Sequence, residues 1–204
     1  MLFEDTYYMP TNTSEGLYKE KGSKFIAYTF PVFSEEDVKE RLDEVRKKEY
    51  SARHHCYAYT LRPDKSTWRA NDDGEPTNSA GKPILGQIQS KDLTNILIVV
   101  VRYFGGVKLG VGGLINAYRT AASDALENIS IEKRFVKEIY EVAFQYPQMN
   151  EVMRLVKDKS LELIHQDFQI NCKITFAIRK SQADVVVAAF KKNHELTINY
   201  QKTI

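Results

Sequence analysis

At 204 residues the chain is long enough for one large domain or two small ones, each with its own core. With 43% hydrophobic and 27% charged residues it has the composition of a globular protein and excludes a disordered or collagen-like chain. A net charge of +2 supplies no global field for nucleic acid, and no segment nears the roughly 20 apolar residues of a membrane span.

The first residues, MLFEDTYYMPTNTSEG, carry Glu4 and Asp5 and no apolar run, so no signal peptide is expected. Cys56 and Cys172 form no CxxC and fit reduced, buried thiols in a cytoplasmic protein. EGLYKEKGSKFIAYTFPVF predicts two strands about a Gly22–Ser23 turn. Ser34 then precedes EEDVKERLDEVRKKEY, with acids in a first helical turn, bases in the last, and Val38, Leu42 and Val45 on one face. RHHCYAYTL predicts a strand, STWRAN its partner across a turn at Pro63–Asp64, and DDGEPTNSAGKP reads as turns. AGKPILGQIQS predicts a short helix with Pro83 in its first turn, and NILIVVVRYF a buried strand. Five glycines fall within residues 105–113, after which Leu114, Ala117, Tyr118, Ala121, Ala122, Ala125 and Leu126 recur at helical spacing.

Near residue 130 the pattern restarts. IEKRFVKEIYEVAFQY predicts a strand, PQMNEVMRLVKDK a helix, LELIHQDF and NCKITFAIR two strands, SQADVVVAAFKKN a Ser-capped helix and ELTINYQK a last strand. This β-α-β-β-α-β order is the ferredoxin-like pattern. The expectation is therefore an α+β chain of two domains, residues 1–130 and 131–204.

Charge is unevenly spread. Residues 46–69 carry seven Lys/Arg against two Asp/Glu, and from Leu93 to Ser123 the only charged residues are Arg102, Lys108 and Arg119. A strand, a glycine turn and a helix N-terminus form a layout that cradles anions, since free amides and the helix dipole converge there. Gly105, Gly106, Gly110, Gly112 and Gly113, with Arg102 and Lys108 beside them, are candidates for that role, although neither G-x-x-x-x-G-K-[ST] nor G-x-G-x-x-G is met. The alternative is a structural turn in which Gly112 and Gly113 let the helix pack tightly.

Asp72, Asp73 and Glu75 lie close enough to share a cation or an acid–base role, or to form an Asp-Gly turn bonded to its own backbone. His54 and Cys56 share one face of their strand and His55 takes the other, a spacing that suits no structural zinc site. Trp68, Tyr57 or Tyr59 could stack on bases. His165 and His194 are solitary, and no cofactor or metal is expected.

GSKFIAY, ARHHCYAYTL, DDGEPTNSAGKPIL and VVVRYFGGVKLGVGGLINAYRTAA, in this order, resemble the signatures of the IMPACT family, in particular its bacterial YigZ-type members. The resemblance implies an N-terminal domain of the ribosomal-protein-S5-domain-2-like fold, shared with small-molecule kinases that bind phosphate at a glycine-rich loop. It implies a C-terminal domain similar to domain V of elongation factor G. Eukaryotic members are translational regulators with an extra N-terminal interaction domain, which is not expected here; bacterial members are proposed to bind nucleic acid.

Three functions follow as expectations. The first is a cytoplasmic module binding RNA or a ribosome-associated factor, with Arg53, His54, Arg69, Arg102, Lys108 and Arg119 meeting phosphates. The second is an enzyme on a small phosphorylated substrate, using Asp72, Asp73 or Glu75. The third is a protein-interaction regulator presenting an apolar patch on its C-terminal sheet.

Overall fold

The computed structural model describes residues 5–169 and 171–204. The chain divides into two compact units: Tyr7–Arg134, and residues 5–6 together with Phe135–Ile204. No helix of the described residues is long and apolar enough to cross a membrane.

The N-terminal unit is built on a five-stranded antiparallel sheet. Its strands are β2 (Ser14–Glu20), β3 (Ser23–Pro31), β4 (His54–Leu61), β5 (Thr67–Asn71) and β6 (Ile96–Tyr103), in the order β2-β3-β6-β4-β5. Central β6 is a continuous apolar run because helices cover both faces of the sheet. Helix α1 (Glu35–Lys48) packs Val38, Leu42 and Val45 against Tyr28, Tyr57, Leu97 and Val99. Helices α2 (Gly81–Ser90) and α3 (Gly110–Glu127) pack on the other face, against Phe25, Cys56, Ile98 and Val100. Helix α1 begins where the sequence places it: Asp37 N donates to Ser34 Oγ at 3.0 Å, satisfying one of the free amides of the first turn.

The alanine-lined face of α3 sits close to the sheet. The residue that permits this is Gly16 on β2, where a Cβ would fall 2.3 Å from Ala125 N and 2.7 Å from Ala121 O. Ser14 Oγ donates to Ala125 O at 2.7 Å and Leu17 N to Asp124 Oδ2 at 2.8 Å, pinning helix to strand.

Strand β1 (Thr6–Pro10), absent from the sequence reading, pairs with β7 (Ile131–Phe135) as a two-stranded ribbon. Neither has a legible period: β1 ends in proline, and every residue of β7 is exposed. The long strand expected over 131–146 is in fact β7 and β8 (Lys137–Phe144), broken at Val136, whose N–H donates to Asp5 O and whose carbonyl accepts from Lys180 N.

The C-terminal unit continues with α4 (Met149–Asp158), β9 (Glu162–Asp167), β10 (Cys172–Arg179), α5 (Lys180–Lys191) and β11 (Thr197–Thr203). Its antiparallel sheet has the order β11-β8-β10-β9, and Val142, Ile174, Phe176, Val186 and Phe190 lie in its core with α4 and α5. The register sets Glu141, Lys173, Thr175 and His165 on the opposite face, with Lys173 Nζ 3.2 Å from Glu141 Oε1. Those four positions are polar, while the exposed large apolar side chains on strands of this sheet are Ile164 on β9 and Tyr200 on β11.

Helix α5 starts at Lys180 without a side-chain cap of its own, and Ser181 is not its cap. Its acceptor comes from Asp5, which takes Ser181 N at 3.2 Å and Arg179 Nε and Nη2 at 2.6 and 2.7 Å. The Arg179 guanidinium holds the Asp5 carboxyl well below the usual carboxylate range, against the opposing effect of burial. A depressed folded-state pKa contributes stability that is present above the unfolded value, near 3.9, and is lost as pH falls below it. Asp5→Asn is therefore expected to destabilise this unit at neutral pH. Its gap from the parent should close as pH drops below about 4, followed by urea denaturation monitored by circular dichroism. A gap of constant size down to low pH would contradict this assignment.

Candidate functional site

The glycine turn joins the end of β6 to α3. Gly105 crosses Gly22 of the β2–β3 turn so closely that a Cβ on Gly105 would lie 1.9 Å from Gly22 C, and its N–H donates to Ser23 Oγ at 3.1 Å. Gly106 and Gly110 have φ of +90° and +71°, a region that strongly favours glycine. A Cβ on Gly113 would meet Leu109 Cβ at 3.0 Å. Gly112 differs from all of these, since its φ is ordinary and a Cβ there would meet nothing within 4 Å.

The turn is open to solvent: Phe104, Val107 and Val111 are each more than half exposed, and Lys108, Gly110 and Gly112 are exposed as well. Helix α3 begins with no side-chain cap and no acid in its first turn. Its leading amides thus lack the carboxylate or hydroxyl that usually serves them.

The surrounding cations fall into two groups. Arg53, Arg69, Lys108 and Arg119 are exposed. Arg102 is not a free surface charge. It is buried, its Nη1 lies 2.7 Å from Glu75 Oε1, and its guanidinium lies 5.6 Å from the centroids of both the Phe25 and Phe104 rings. Its Nε is buried without a partner. Tyr57 and Tyr59 are buried and stacked on each other, which removes them from base stacking; Trp68 is 59% exposed.

The acidic turn is brought against this machinery by internal bonds. Asp72 caps α2, its Oδ1 accepting from Ala80 N and Gly81 N and its Oδ2 from Asn78 N, all within 3.0 Å. Asp73, at φ +40°, accepts His55 N on Oδ2 at 2.7 Å, and its carbonyl lies 2.8 Å from His54 Nδ1. Glu75 Oε1 takes both Arg102 Nη1 and the Tyr118 hydroxyl, the latter at 2.9 Å. The three carboxylates therefore hold the turn to α2, β4 and β6 respectively instead of converging on one point.

Cys56 Sγ lies 3.0 Å from Asp72 O, to which its S–H can donate, and 3.4 Å from the Tyr118 hydroxyl, and burial pushes its thiol pKa well up, so it is no poised thiolate. Burial likewise pushes up the Tyr118 phenol. Tyr118 was legible only as a core position of α3; no spacing reveals that its hydroxyl reaches Glu75 and Cys56. A second, part-buried cluster, Glu49 accepting from Tyr28 and Tyr103 hydroxyls at 2.5 and 2.6 Å, was also missed, because its members are scattered over three elements or their ends.

A family model described as the Impact N-terminal domain matches residues 21–126. The chain is 30% identical to IMPACT family member YvyE of Bacillus subtilis (strain 168) over 162 residues, covering 79% of this chain and 75% of that protein. It is 34% identical to IMPACT family member YigZ of Escherichia coli (strain K12), covering 78% of each. A crystal structure of a hypothetical protein superposes with a TM-score of 0.75 at 27% identity, covering 97% of this chain and 98% of that one.

Proposed function

This chain belongs to the IMPACT family, and from that premise we propose that it is a cytoplasmic regulator of translation whose N-terminal unit docks on phosphates of RNA or of a ribosome-associated surface. In this reading the N-terminal unit is ribosomal-protein-S5-domain-2-like. The C-terminal unit is ferredoxin-like, similar to domain V of elongation factor G, and its β-α-β-β-α-β order and β11-β8-β10-β9 sheet support that reading. The phosphate contacts are the amides at Gly106, Gly110, Gly112 and Gly113, with Lys108 and Arg119 alongside. His54, Arg53 and Arg69 form the outer part of the footprint. Arg102 contributes by holding the site together.

The observation that carries the proposal is Gly112. Packing explains Gly105 and backbone conformation explains Gly106 and Gly110, but neither explains Gly112; Gly86 of α2 is equally open, and what sets Gly112 apart is its place among the uncapped leading amides of α3. Glycine in the middle of a helix costs about 0.5–1 kcal/mol relative to alanine, an upper bound for Gly112 in the first turn of α3. A partner that must approach the main chain closely accounts for retaining it. Gly112→Ala is accordingly expected to raise unfolding stability by up to about 1 kcal/mol while weakening RNA binding. Lys108→Glu with Arg119→Glu should leave stability within about 0.5 kcal/mol and reduce both affinity and its salt slope. Fluorescence anisotropy of labelled single-stranded RNA across a salt series measures both. An affinity that is flat in salt, or unmoved by all three substitutions, contradicts the proposal.

A further inference from the structure

Edge strand β5 and helix α2 enclose a cleft of about 360 Å³, lined by Trp68, Ala70 and Leu85 on its apolar side and by Asp72, Lys82 and Gln89 on its polar side. Among the described residues strand β5 pairs only with β4, so the cleft opens along a sheet edge. Trp68 is 59% exposed there. A side chain of that size left in water adds little to the core, and next to a concave surface it offers a flat face for stacking.

The two charged groups of the cleft, Lys82 and Asp72, are differently engaged. Lys82 is exposed and forms no ion pair among the described residues. Asp72 is the acid lining the cleft, and both its oxygens are engaged by three backbone N–H groups, so Lys82 is the charged side chain there without a partner among the described residues. An occupant matched to these groups has a planar π-face and a negative charge, and Gln89 can meet polar ring edges. A carboxylate-bearing peptide meets the cation but not the exposed aromatic face equally well.

We propose that this cleft takes a base of a single-stranded nucleic acid, stacked on Trp68 with a flanking phosphate at Lys82. The proposal rests on the reading that the N-terminal unit binds nucleic acid and adds to it a base-dependent contact outside the glycine turn. Stacking makes that contact sequence-tolerant, since every base has a π-face.

Trp68 is the only tryptophan of the chain, so emission excited at the red edge, where the twelve tyrosines do not absorb, reports on this cleft. The full chain is titrated with oligo-adenylate RNA, with inorganic polyphosphate and with polyglutamate. Oligo-adenylate is expected to quench Trp68 saturably, and polyphosphate to compete for the chain without the same quench. Trp68→Ala should weaken oligo-adenylate by about 5- to 150-fold, measured by anisotropy of labelled RNA, with polyphosphate affinity unchanged and Trp68→Phe retaining most of the binding. Lys82→Glu should weaken the RNA quench.

RNA that binds without quenching, and equally well to Trp68→Ala, overturns the cleft while the glycine-turn reading stands. Quenching by polyglutamate as strong as that by RNA also overturns it, in favour of an acidic peptide. Absence of RNA and polyphosphate binding overturns both readings.

Discussion

Glu75→Ala is expected to destabilise the N-terminal unit by about 3–5 kcal/mol, because it leaves the Arg102 guanidinium buried and unanswered. Both side chains lie at or under 9% exposure, so water cannot replace the lost carboxylate, and the Tyr118 hydroxyl loses its acceptor in the same step. A buried ion pair is not itself strong evidence of stability, since desolvating two charges offsets much of their attraction. The large effect comes from breaking it on one side. The double substitution Glu75→Leu with Arg102→Met should therefore recover most of the loss, the signature of a coupled pair. Urea denaturation followed by Trp68 emission reads this unit selectively, as the tryptophan lies within it. A Glu75→Ala variant that leaves the midpoint unchanged, or a double loss equal to the sum of the Glu75→Leu and Arg102→Met losses measured singly, would remove Glu75 from the role assigned here.

Gly16→Ala should be nearly as severe, at about 3 kcal/mol, the upper end of what overpacking costs. The obstruction is main chain on both sides: the new Cβ would stand 2.3 Å from Ala125 N and 2.7 Å from Ala121 O. Helix α3 cannot simply retreat, because the Ser14–Ala125 and Leu17–Asp124 hydrogen bonds tie it to the same strand. The contrast with Gly112→Ala, which is expected to stabilise, is the measurement that matters. If the two variants shift the urea midpoint in the same direction, the division of the glycines into those that pack and those that stay open fails.

The elements with local causes could be read from the chain. Val38, Leu42 and Val45 with a Ser34 cap define α1, and the apolar run of β6 marks a strand covered on both faces. What escaped was set by residues far apart in sequence. Tight packing of α3 is expected from Gly112 and Gly113 because they lie on it, yet it depends on Gly16 across the sheet. Arg102 counts as a free cation because no acid stands between Leu93 and Ser123, but folding brings Glu75 to it from 27 positions away. The same holds for Tyr57 and Tyr59, whose alternation with smaller residues gives no sign that their rings stack within the core.

Asp5 and Thr6 belong with the last seventy residues, and the whole N-terminal unit is inserted between these two parts. During synthesis the carboxylate that will cap α5 leaves the ribosome first, and its guanidinium partner Arg179 arrives 174 residues later. The inserted unit can complete itself in the interval, whereas the split one must wait for nearly the entire chain, so vectorial folding has an enforced order with the C-terminal module last. At typical elongation rates of about 5–20 residues per second, that delay amounts to roughly ten seconds or more.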